Sequence, residues 1–148
     1  MGPRRKAREY ALQMLFQWDI TRDNIDQIAA TFWEGQDEPP AVADFARLLV
    51  TRTVEHVERI DALIQRYAEN WRLDRMAVVD RNILRLAIQE FLYDKETPGS
   101  VVINEAIEIA RRYSSQESPQ FINGILDSIR KEVGARSREP GARNEPPE

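Results

Sequence analysis

Apolar residues recur along this chain every three or four positions and almost nowhere every two, so the segments they mark are helices. The first is predicted over 4–19. There Ala7, Ala11, Leu15 and Trp18 point one way, while Lys6, Glu9, Gln13 and Gln17 draw a narrow polar line. A short second helix covers 24–35 and stops at Gly35; the proline-bearing QDEPPAVAD launches the next. From there Phe45, Leu49, Thr53, Val57, Ile60, Ile64, Tyr67 and Trp71 keep the period through one long helix, or two joined near 56–59. RLDRMAVVDRNILRLAIQEFLYD supplies another, with Asp74 as its N-cap. TPGS interrupts the chain before VVINEAIEIARRYS, and Ser118-Pro119 read as N-cap and first-turn proline of a last helix through Val133. Residues 135–148, with prolines and balanced charges, are expected to form a disordered tail, leaving 1–134 as one domain.

The predicted fold is therefore all-α, with six or seven helices. Several are apolar on more than one side, which places them centrally between others. No stretch is apolar enough to span a membrane, and the N-terminus lacks the apolar core of a secretory signal, so a soluble, cytoplasmic protein is expected.

Composition removes several chemistries. There is no cysteine, hence no disulfide and no thiolate metal site or nucleophile. The single histidine, His56, cannot complete a histidine-pair zinc motif and falls near an apolar stripe. No glycine-rich phosphate loop or nucleophile elbow is present. Carboxylate pairs such as Glu105 with Glu108 are what 25 acidic residues produce by chance, and Glu108 with Arg112 reads as an ordinary helix-surface ion pair. Neither a metal site nor a catalytic residue is predicted.

Charge changes the picture more. The chain is acidic, with a formal net charge of −4, yet Arg4, Arg5, Lys6 and Arg8 crowd the start of the first helix. A short basic arm on an acidic body marks either a frayed, solubilising terminus or a local binding site. Three further residues stand out. Phe16 sits nearer the polar line than the core stripe, where it packs on another helix or meets a partner. Asp80 falls inside the apolar arc of Met76, Val79, Ile83, Leu86, Ala87 and Phe91, so it pairs with an arginine or faces a partner's basic group. Phe121 lies at the margin of the last helix's apolar stripe, flanking Gln120 and Asn123, whose amides can bond nucleobase edges; it is a half-buried core residue or a stacking platform.

RRKAREYALQMLFQWD, VVDRNILRLAIQEF, PGSVVINEAIEIARRYS and QFINGILD together resemble the NusB family of bacterial transcription antitermination factors. The likeness runs from about Arg4 to Ile129, with its blocks in the family's order and spacing. It implies an all-helical fold of two small packed bundles, no enzymatic activity and no cofactor. It also implies binding of boxA, a short single-stranded RNA element of nascent ribosomal or phage transcripts, together with NusE, a ribosomal small-subunit protein. Other Nus factors and RNA polymerase would be engaged indirectly.

Residue by residue, the family's RNA-binding arm matches Arg4, Arg5, Lys6 and Arg8, and the aromatic of its F-x-N-G motif matches Phe121. Its acidic position before the last helix is matched by Glu117, a neighbour of the RNA site. Phe16 and Asp80 match positions tied to partner binding. The arm departs from some relatives in carrying one lysine and an alanine, and Gln120 stands where a cation can occur.

Neutralising about four phosphates of single-stranded RNA would give a salt slope of about −2.8, enough for the arm to dominate affinity. Rival readings are a helical protein-binding adaptor with an incidental arm, a carboxylate-based hydrolase, and a module related to the front domain of RNA cytosine methyltransferases. The last would need a further cofactor-binding domain, for which this chain offers no room. The extra apolar faces also permit a homodimer.

Overall fold

The computed structural model describes the backbone of residues 2–138 and the side chains of residues 2–134. Among these residues there are seven α-helices and no strand. In chain order they are α1 (Pro3–Thr21), α2 (Ile25–Phe32), α3 (Pro40–Glu55), α4 (Val57–Tyr67), α5 (Val78–Tyr93), α6 (Gly99–Tyr113) and α7 (Ser118–Arg138), with a single 3₁₀ turn at Leu73–Arg75. The last helix continues past Val133 to Arg138; of the expected tail, 139–148 lie outside the described residues.

Local chemistry accounts for most boundaries. Asn24 caps α2 by accepting the backbone N–H groups of Asp26 and Gln27. Pro40 starts α3 where its missing N–H is of no consequence. The sequence allowed one helix or two around 56–59, and the structure has two, because His56 leaves the helical region and stacks on Tyr93 of α5 at 4.3 Å. Asp94 ends α5 in a turn, accepting from the N–H groups of Glu96 and Thr97.

The start of α5 differs from the sequence prediction. Asp74 lies in the 3₁₀ turn, paired with Arg72, and Ala77 occupies the N-cap without a side-chain bond. Ser118 and Pro119 do open α7, but the Ser118 hydroxyl donates to Asp80.

The helices form two small bundles. α1, α2 and α3 pack together at one end, α4, α6 and α7 at the other, and α5 touches both sets. That position explains the sequence of α5, in which every residue from Asn82 to Glu90 is buried. Ala7, Ala11, Leu15 and Trp18 meet the core as their spacing predicts, as do Ile122, Ile125, Leu126 and Ile129 of α7. Removing one such side chain to alanine costs about 2–5 kcal/mol.

A charged network ties α1, α5 and α4 together through Asp19, which is buried. It accepts from Arg81 at 2.5 Å, from Arg85 at 3.0 Å and from Asn82 at 3.0 Å, and Arg85 grips Asp61 with its other two nitrogens. Burial alone would raise the Asp19 carboxyl; Arg81, Arg85 and Asn82 outweigh it and hold the group below the ordinary aspartate range. Arg22 closes α1 in the left-handed region, φ 60°, with its guanidinium 4.2 Å from the centre of the Trp18 ring.

Candidate nucleic-acid interface

α1 presents its basic start beside the end of α5 and the middle of α6, and each of the four cations meets a carboxylate. Arg4 approaches Asp94 at 3.9 Å and lies over the Phe45 ring. Arg5 holds Glu105 of α6 through two bonds, at 2.6 and 3.1 Å. Lys6 reaches Glu38 at 2.8 Å, and that hydrogen bond raises the lysine and, together with the one from Tyr10, lowers the glutamate. The body's acidity is thus not remote from the arm: part of it lines the arm directly.

Arg8 corrects the sequence reading. It is 4% exposed and clasps Glu90 of α5 with bonds of 2.9 and 2.7 Å. The helical period is the reason. Arg8 lies in line with Leu12 and Leu15, both buried, so the cationic run in sequence is not one face in space. Arg4, Arg5 and Lys6 remain partly at the surface, each set against a mostly covered carboxylate, and solvent screens such pairs.

Three depressions follow one another from this end of the molecule. The first, about 230 Å³, lies between α1 and α6, with Arg5, Glu9, Glu108, Arg111 and Arg112 in its wall. The second, about 540 Å³, lies where α6 gives way to α7 and contains Arg111, Ser115, Gln116, Gln120 and Asn123. The third, about 270 Å³, is lined by Ser115, Glu117, Phe121, Trp71, Arg75 and Asp80. Arg111 is shared by the first two, and Ser115 by the last two.

Phe121 is therefore separated from Gln120 and Asn123, which the sequence grouped with it. Successive helical residues point about 100° apart, and α7 sends the amides to one groove and the ring to the next. Phe121 is half-buried: it packs against the core and meets Trp71 edge to face, with ring centres 6.1 Å apart. Trp71 is 56% exposed. Phe121 is thus a core margin on one side and borders an open depression on the other.

Asp80 does not find the internal arginine that was one of its two expected alternatives. Its carboxylate accepts from the hydroxyls of Ser114 and Ser118, the latter at 2.9 Å, and no arginine forms an ion pair with it among the described residues. Two hydroxyls at the α6–α7 junction replace the predicted cation. Phe16 does stay at the surface, 39% exposed, one turn from Ile20 at 60%. Together they leave an apolar ridge on α1.

Sequence reasoning missed Arg111, Arg112, Trp71 and Arg75. The sequence spacing pairs Arg112 with Glu108; in the structure Arg111 pairs with Glu108, and Arg112 reaches across to the buried Glu9, at 2.8 and 3.0 Å, where Tyr113 also donates. An Arg-Arg pair at the end of a helix is a common surface feature, and only its position beside α1 gives it significance. Glu9 and Glu108 share one depression, but each is bridged by an arginine, which places it poorly for general acid or base work. No cluster of potential metal ligands occurs among the described residues, and no described helix is long and apolar enough to cross a membrane.

The sequence profile of the NusB family matches residues 5–131. The chain is 52% identical over 138 residues to the transcription antitermination protein NusB of Koribacter versatilis, covering 93% of this chain and 94% of that one. Its structure is similar to that of T. maritima NusB, with a TM-score of 0.81 and 43% identity over 89% of this chain and 93% of the other. It is also similar, at a TM-score of 0.81 and 28% identity, to a chain in a crystal structure of the antitermination factors NusB and NusE in complex with double-stranded RNA; that match covers 89% of this chain and 98% of the other.

Proposed function

This chain belongs to the NusB family, whose members are transcription antitermination proteins and not enzymes, and we propose that it binds boxA-type single-stranded RNA in nascent ribosomal transcripts together with NusE. In that role it helps to assemble an antitermination complex on cytoplasmic RNA polymerase, which it reaches through its partners and other Nus factors.

The observation that carries this reading is the succession of grooves between the exposed cations of α1 and the Trp71–Phe121 pair. Arg4, Arg5 and Lys6 supply phosphate contacts. With Arg8 withdrawn, these three neutralise about three phosphates, for a salt slope of about −2.1. Gln120 and Asn123 meet base edges, and Phe121 stacks on a base beside Glu117. Phe16, extended by Ile20, and the carboxylate of Asp80 supply the contacts to NusE. A basic ribosomal protein is drawn to an acidic body by its field.

Filter binding with a boxA-type RNA and a scrambled RNA of equal length, with and without NusE, tests the reading. The expected result is a preference for boxA that strengthens when NusE is added. Equal retention of both RNAs in the presence of NusE would favour the adaptor reading, which the carboxylate pairing of the arm otherwise supports.

A further inference from the structure

We propose that Arg111 is a phosphate-binding residue that links the basic start of α1 to the Gln120–Asn123 groove, so that one RNA strand follows the grooves from Arg5 past Arg111 and Ser115 to Phe121 and Trp71. This rests on the RNA-binding reading above and adds to it a contact residue and a route.

Position is the first argument. Arg111 lines both the α1–α6 depression and the α6–α7 groove, which puts it within reach of a strand that occupies the two. Availability is the second. The Arg111 side chain is 62% exposed, and its partner Glu108 is itself at the surface, one helical turn away. Such a pair is weak and screened by salt, and a phosphodiester offers the guanidinium the same two-oxygen geometry with release of counterions besides. Arg112 beside it is held across the helices by the buried Glu9 and is the poorer candidate.

The order of groups is the third argument. Cations come first, then amides that read base edges, then two aromatic faces. A single strand presents its charge along the backbone and its unstacked bases to one side, which this order suits. Ser115, common to the second and third grooves, gives the strand its passage between amides and aromatics.

The test compares the wild-type protein with Arg111→Gln, Arg111→Lys and Lys131→Gln, each with a boxA-type oligoribonucleotide over a range of salt concentrations, with NusE present. Lys131 is an exposed cation on α7, eight residues beyond Asn123 and about 12 Å further along the helix, so its loss controls for net charge. Arg111→Gln is expected to weaken binding about fivefold at moderate salt and to flatten the salt slope by about 0.7. Arg111→Lys should recover the slope, and Lys131→Gln should behave as wild type. If wild type binds boxA selectively but Arg111→Gln and Lys131→Gln match it in affinity and slope, Arg111 has no such role while the function stands. If wild type shows no selectivity for boxA, the function itself falls, and this route with it.

Discussion

Arg8 lies against Glu90 as a two-bond clasp, 2.9 and 2.7 Å, in the interior between α1 and α5. A guanidinium so placed cannot also meet a phosphate at the surface. Burial opposes its charge, and the hydrogen bonds and charge of Glu90 more than restore it, so Arg8 stays protonated.

Arg8→Ala should therefore destabilise the fold by about 3–5 kcal/mol, because it strands a buried carboxylate. The double variant Arg8→Met with Glu90→Leu should recover most of that stability in denaturant titrations. Once folded, it should keep the wild-type salt dependence of RNA binding. A slope lower by about 0.7 would return Arg8 to the RNA surface.

Glu105→Gln should tighten RNA binding. In the free protein Glu105 occupies two nitrogens of Arg5 that a phosphate would otherwise take. Release of this part-buried but solvent-screened pair is worth up to about 1 kcal/mol, or about fivefold in affinity. Weaker or unchanged binding by this variant would show that Arg5 does not exchange partners.

Asp19 should make the protein acid-sensitive. Its pKa lies below the usual value of 3.8 for the free group, so its ionised form stabilises the fold fully above that value. That contribution is lost as pH falls from about 4 through the lowered pKa. Asp19→Asn should be markedly destabilised at neutral pH, with the gap to wild type narrowing over this acidic window. A gap independent of pH in thermal melts would mean that the Asp19 charge contributes nothing through its titration.

Phe121→Ala should lose about 1–3 kcal/mol of RNA binding. Because the ring is half-buried, its effect on stability should fall below the roughly 3–5 kcal/mol of a full core deletion. Phe121→Leu separates the two roles: it should keep the thermal midpoint and still bind RNA weakly. Wild-type RNA affinity in Phe121→Leu would reduce the residue to packing.

Much of the fold was legible because helical period and turn chemistry are local. The lines Ala7–Ala11–Leu15–Trp18 and Ile122–Ile125–Leu126–Ile129 follow from spacing alone and are buried as drawn. Asp74 misled because an N-cap needs a particular backbone angle as well as the right side chain, and a 3₁₀ turn took the residue instead. Asp80 left its internal partner open for another reason. A carboxylate within an apolar arc must be satisfied, but whether by arginine or by two serines at the α6–α7 junction is not written near it.

By itself, the sequence determined the all-helical class, most of the bounds of the helices, many of the residues that fill the core, and the family resemblance. It also showed that the positive charge gathers at one end of α1. The tertiary structure alone decided which of those charges are free to act. Charge partners are chosen across helices distant in sequence, so only packing could turn Arg8 inward to Glu90 and bring Arg111 beside the groove that holds Gln120 and Asn123.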